Sequence, residues 1–284
     1  MPKETQNWDL VIRSQTAWWD VDFRGIWEYR DLIWLFVKRD FVTFYKQTIL
    51  GPLWYVIQPI FTTGVFTIIF SKVAQISTDS VPPFLFYMAG NTMWSYFSAA
   101  LDKTSKTFTA NAGVFGKVYF PRMTVPIATV IIGFVQFAIQ LMLFLGFYAY
   151  FYYSGSDMNI SASIIWLLPL AILQMAFLGL GAGILFSALT TKYRDLVFAL
   201  TFGVQLWMYA TPIVYPASIV PVNYLDYFML NPMAPIVEMI RLGFFGQASV
   251  TLQHIAVGWL VTLAILALGL LMFHRVEKNF MDTV

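Results

Sequence analysis

The side chains able to do chemistry are few, and their spacing works against it. The two histidines, His254 and His274, stand at opposite ends of the last apolar segment, so they cannot share a metal or act on one another as base and nucleophile. The chain has no cysteine, which excludes thiol chemistry, disulfides and thiolate-bound metals. Neither a Gly-x-x-x-x-Gly-Lys-Ser/Thr phosphate loop nor a Gly-x-Ser-x-Gly nucleophile elbow occurs. Gly179, Gly181 and Gly183 fall inside an apolar run, where small residues let helices approach closely. A membrane glycosyl- or acyltransferase acting on lipid-linked sugars would need an interfacial carboxylate. Asp31 and Asp40 are available, but no second group forms a pair with either. No catalytic residue, metal site or cofactor bound by this chain is expected.

What remains is uncharged polarity in apolar surroundings. Of 284 residues, 59% are hydrophobic, 18% aromatic and only 11% charged, whereas a soluble domain is about 25% charged. The composition describes an integral membrane body, and a net charge of +2 is too small to suggest nucleic acid as a partner. Asp, Glu, Lys and Arg are absent from six apolar runs that carry Gln58, Thr62, Thr63, Asn91, Gln136, Gln140, Gln174 and Gln205 instead. Ion-coupled transporters keep charged groups at such depths. A path lined this way suits an uncharged or hydroxyl-rich solute better than a bare ion, and any transport draws its energy from elsewhere. For Gln136, Gln140 and Gln174, hydrogen bonding between helices is the favoured reading. Trp54, Gln58, Phe61 or Thr62 share one helical face, and so do Phe198, Phe202, Gln205 and Tyr209. Aromatic rings stack on sugar faces without strong directionality, so these stripes could line a path; the same spacing also describes plain packing faces.

The elements that must position these residues follow from apolar length. A span needs about 20 apolar residues, and the runs at 49–70, 84–101, 125–153, 164–189, 196–214 and 255–273 are read as six transmembrane helices. The run at 84–101 is shorter and more polar than the rest. Residues 1–48 form a cytoplasmic N-terminal segment, 49–274 the transmembrane domain and 275–284 a cytoplasmic tail. The first 48 residues are not expected to be a signal peptide, because no apolar stretch follows the charges. Trp19, Val21 and Phe23 alternate with Asp20, Asp22 and Arg24, as in a short extended piece. Ile26, Ile33, Val37, Phe41 and Phe44 then recur at helical spacing, with Arg30, Lys38, Arg39 and Lys46 available to headgroups. That pattern predicts an amphipathic helix lying in the membrane interface. Residues 232–245 contain Glu238 and Arg241 and are too short to cross, which predicts a re-entrant or interfacial hairpin before the last span, within a re-entrant region at about 216–247. Fifteen of the seventeen Lys and Arg residues fall on the side that holds both termini, and only Lys72 and Arg241 on the other. Both termini are therefore expected in the cytoplasm. The same bias accounts for Arg30, Arg39 and Lys46, although basic groups there would also guide a lipid diphosphate.

The most distinctive stretch is Arg39-Asp40, Tyr45-Lys46, Leu50-Gly51, Trp54 and Pro59, followed by Lys192-Tyr193-Arg194-Asp195 and by Asn231-Pro232, Glu238 and Arg241. In this order and membrane placement, the motifs resemble the permease subunits of polysaccharide ABC exporters, which carry O-antigen, teichoic acid or capsule chains. The resemblance covers nearly the whole chain. Its fold implication is an all-α integral membrane protein with six spans. It implies a homodimer bound to two separately encoded nucleotide-binding ATPase subunits, with ATP and Mg on those partners. The substrate would be a polyprenyl-diphosphate-linked polysaccharide, with lipopolysaccharide O-antigen as the expected polymer, exported across the bacterial cytoplasmic (inner) membrane. The channel would run between the first and fifth spans along the dimer axis. The N-terminal helix and the 102–124 loop, with Asp102, Lys103, Lys106, Asn111 and Lys117, would meet the ATPases. Asn231, Pro232, Glu238 and Arg241 would belong to the re-entrant gate. A drug or small-lipid exporter permease is the alternative within the class; a membrane transferase and a structural anchor are alternatives outside it.

Overall fold

The computed structural model describes residues 23–46, 51–118, 120–156, 158–193 and 195–279. The extended piece expected around Trp19 lies outside the described residues, as do Leu50 and Arg194 of the motifs. Among the described residues all regular structure is helical.

Helices α1 (Phe23–Glu28) and α2 (Arg30–Lys46) precede the first membrane helix. On α2, Phe36 and Val37 are buried while Trp34, Lys38 and Arg39 stay exposed. The buried face therefore centres on Phe36, one position from the expected stripe, and Phe41 is exposed. This face enters a small core with Phe108, Phe115, Phe120 and Phe273. Gly51 takes a left-handed φ of 44° where the chain turns into the next helix, a conformation that lacks the Cβ penalty only in glycine.

Helix α3 (Trp54–Phe66) continues as a π-helical stretch, Thr67–Val73. Helix α4 (Pro83–Ser105) starts with proline in its first turn, where no intrahelical N–H is needed. It is the most enclosed long helix, packed against α3, α6 (Thr124–Tyr153), α7 (Ile164–Lys192) and α8 (Leu196–Tyr209). Between α4 and α6 lies the short α5 (Thr107–Phe115). Helix α7 presses closely on α4 and on α11 (Leu252–Asn279). An added Cβ at Gly179 would sit 2.9 Å from the Ala100 side chain, and one at Gly181 would sit 2.6 Å from the Leu266 backbone. The glycines thus let three helix backbones meet.

Before α11 the chain makes α9 (Val222–Phe228) and α10 (Met233–Phe245), bent at 111° to one another. Helix α10 is almost wholly buried and ends on Gly246 at φ 70°, a left-handed cap.

Among the described residues, four helices are long and apolar enough to cross a membrane: Trp54–Val73, Thr124–Tyr153, Ile164–Lys192 and Leu252–Glu277. The bent pair makes five if it is taken as one span. Length and composition therefore give four or five spans where six were expected. The two shortfalls have different causes. Helix α4, with 23 residues, is about 35 Å long but carries polar groups that neighbouring helices enclose. Helix α8 has 14 residues, about 21 Å. It stops at Tyr209 rather than running to residue 214, because Thr211–Val214 turns back as buried chain against α10.

Candidate functional site

A cleft of about 720 Å³ opens between α3, α4, α6 and α8. Its wall is polar without being cationic: Gln58 and Thr62 come from α3, Gln136 and Gln140 from α6, and Thr201, Gln205 and Tyr209 from α8. Helix α4 contributes Asn91, Trp94, Ser95, Ser98 and Asp102. Asn91, Ser95, Ser98 and Asp102 follow i, i+4, i+7 and i+11, so one face of α4 presents a polar ladder about 16 Å long.

Of the residues singled out as a path, the cleft gathers Gln58, Thr62, Gln205 and Tyr209. Trp54, Phe61, Phe198 and Phe202 do not line it. They lie on the outer faces of α3 and α8, where Phe61 is 71% and Phe198 80% exposed, and they continue there with Val65 and Leu206. Each stripe is therefore split: the polar members and Tyr209 face the cleft, and Trp54 and the phenylalanines face outward. Gln136 and Gln140 were read as packing groups, yet both line the cleft. The Gln140 side-chain oxygen is buried with no hydrogen-bond partner among the described residues. Gln174 behaves differently: it lies outside the cleft and donates to Thr262 on α11 at 3.3 Å. Of the α4 wall, sequence reasoning names only Asn91 among the path-lining polar groups, although the spacing of the four polar residues is a legible signal.

A second cleft, of about 530 Å³, lies where α2 passes α3, α4, α5 and α6. Arg39, Asp40, Lys103, Lys106 and Asn111 line its polar side, and Val125, Ile132 and Val135 its apolar floor. Arg39 pairs with Asp40 at 2.8 Å and stacks over Phe36. Lys106 reaches both oxygens of Asp102 at 2.7 Å. Arg30 and Lys46 are exposed and do not line this cleft, and Lys117 is exposed beyond the end of α5. Asn111 donates to the Thr107 carbonyl of its own helix.

The bent pair is held by two polar hubs. Asn231 accepts from the Trp207 indole at 2.8 Å and from the Met233 amide, and donates to the Ala210 carbonyl and the Thr211 hydroxyl. Its whole hydrogen-bonding capacity ties the end of α8 to the start of α10. Pro232, next to it, is buried. Arg241 pairs with Glu238 at 2.9 Å and donates to the Ile213 carbonyl at 3.3 Å. Its guanidinium lies 3.7 Å from the Phe86 ring centre, and Glu238 also accepts from the Ser249 amide. His254 at the start of α11 meets Asp226 of α9 at 2.9 Å. Among the described residues no group of three or more His, Asp or Glu is placed to hold a metal.

Long apolar helices around a polar cleft without Lys or Arg define a multi-pass membrane protein. The chain belongs to the ABC-2 type transporter family, whose membrane domain matches residues 31–245. It is the permease component of such a transporter, working with an ATPase subunit, and this places it outside the transferase and anchor alternatives. It is similar to two O-antigen export system permease proteins RfbA of Klebsiella pneumoniae, 26% and 25% identical over 252 residues, 89% of this chain and 94% of each relative. A third relative of that name, from Myxococcus xanthus, is 26% identical over 227 residues, 78% of this chain and 83% of its own length.

Proposed function

We propose that this chain is the channel-forming permease of an exporter that carries a lipid-linked polysaccharide, O-antigen, across the bacterial cytoplasmic membrane. The observation that carries the reading is the cleft: a membrane-embedded groove of amides and hydroxyls with an indole in its wall, matched to a chain of sugar rings. The near full-length similarity to O-antigen permeases supports the choice of polymer. The exposed aromatic and aliphatic faces of α3 and α8 are suited to a second copy, so that two clefts meet along a dimer axis. Six spans, taken from the apolar runs, would put both termini on one side of the membrane, and the Lys/Arg distribution supports the cytoplasmic side. Two ATPase subunits would dock on the α5 surface near Lys117, and the α9–α10 pair would act as the outer gate.

The polyprenyl diphosphate would take the second cleft. Arg39, Lys103 and Lys106 there supply positive charge beside an apolar floor, the pairing an anionic lipid head requires. Lys103 and Lys106 then serve the lipid rather than the ATPase contact alone.

The test is to purify the permease with its ATPase and measure hydrolysis with polyprenyl-diphosphate-linked glycan. Stimulation of several-fold by the glycan-bearing lipid, and none by the bare lipid diphosphate, is the expected result. Failure to form an ATPase complex would overturn the reading, and stimulation by small lipids or drugs alone would redirect it to the other exporter class.

A further inference from the structure

The groups lining the membrane cleft offer a ligand one charged side chain, the Asp102 carboxylate, among amides and hydroxyls that both donate and accept. The Ser98 hydroxyl donates to the Ser95 carbonyl at 3.3 Å, and the Thr201 hydroxyl donates to the Val197 carbonyl at 3.0 Å. Each proton is committed to its own helix, so both residues turn lone pairs to the cleft. Asp102 adds a carboxylate, an acceptor only when ionised. The Gln140 amide, on a residue only 3% exposed, has an oxygen still lacking a donor. No Lys or Arg lines this cleft. The cation nearest in bonding terms is Lys106, which holds Asp102 yet lines the neighbouring cleft instead. The Asp102–Lys106 pair thus stands as a divider, its negative end toward one cleft and its positive end toward the other.

Sugar hydroxyls both donate and accept, and satisfy such a wall. A uronate or phosphodiester carries a charge toward the Asp102 carboxylate, and that charge must shed water where no cation receives it. We propose that the membrane cleft selects an electrically neutral, hydroxyl-bearing chain and discriminates against polymers with carboxylate or phosphate in the repeat. This rests on the polysaccharide-export reading and adds the charge class of the polymer, while the anionic lipid head is handled by the separate basic cleft.

The experiment uses proteoliposomes holding the permease with its ATPase and two polyprenyl-diphosphate-linked glycans of equal length. One is a neutral hexose polymer; in the other, alternate sugars are oxidised at C6 to uronic acids. Transport is read as ATP-dependent protection from an external glycosidase. The neutral glycan is expected to move at least about tenfold faster, and Gln205→Lys, which adds a cation to the wall, to narrow that ratio at least about threefold. Equal rates for the two glycans would overturn the charge selectivity and leave the exporter reading standing. A ratio that Gln205→Lys leaves unaltered would also overturn it, by locating the discrimination outside the cleft. Transport of neither glycan would overturn both.

Discussion

Glu238 and Arg241 are 2% and 3% exposed, and their charged ends are answered by one another and by the backbone, while the Arg241 Nε has no hydrogen-bond partner among the described residues. Arg241 reaches the Glu238 carboxylate and the chain after α8, and Glu238 also holds the Ser249 amide that leads toward α11. The pair therefore joins three segments that follow one another in sequence and would otherwise separate. Removing one member of a buried pair leaves an uncompensated charge, at a cost of about 3–5 kcal/mol. Arg241→Ala should lower the melting temperature in detergent sharply. Replacing both partners by apolar residues of similar size, Glu238→Leu with Arg241→Met, should recover part of that loss. Thermal unfolding of the purified variants checks this. A single variant as stable as the parent would show that the pair does not hold the hairpin.

Helix α7 contributes to packing through what it lacks. A Cβ at Gly181 would meet the Leu266 backbone of α11, and α11 cannot yield there without moving its whole axis. Gly146 on α6 has nothing within 4 Å of an added Cβ. Overfilling a tight contact costs about 1–3 kcal/mol, and more when the neighbour is backbone. Gly181→Val should cut the yield of monodisperse protein several-fold, whereas Gly146→Ala should leave it unchanged. Size-exclusion profiles of the two variants compare them directly. The same closeness explains why a glycine cluster occurs with no nucleotide site.

At the scale of the whole molecule, α4 and α8 set how often the chain crosses the bilayer. Helices α4 and α8 are the two expected spans that are less apolar or shorter than the rest. Both can still cross if protein and water-lined cleft, rather than lipid, cover their polar faces. The absence of cysteine makes this measurable, because each introduced thiol is the only one. Ser77 and Lys117 flank α4, and Lys192 and Tyr224 flank α8, all four exposed. With a membrane-impermeant maleimide, Ser77→Cys and Tyr224→Cys should label from outside, and Lys117→Cys and Lys192→Cys only in inverted vesicles. Labelling of Ser77→Cys and Lys117→Cys from the same side would remove α4 from the spans.

The division between sequence and structure follows from what each residue pattern encodes. Composition, the exclusion of charge from apolar runs, the clustering of Lys and Arg and the order of short motifs are local properties. They sufficed for a membrane permease, for the helices α3, α6, α7 and α11, and for the break before the last span. Which face of a helix looks inward is not local. In a membrane the outer face is as apolar as the packed one, so a helix such as α7 carries little directional signal. The stripe through Trp54, Gln58 and Phe61 could therefore not reveal that its glutamine faces a cleft and its phenylalanine the outside. Nor could one helix show that Gln140 joins Gln205, or that Asp102 and Lys106 serve different clefts. Those relations depend on how helices distant in sequence rotate against one another, and only the packed structure decides that.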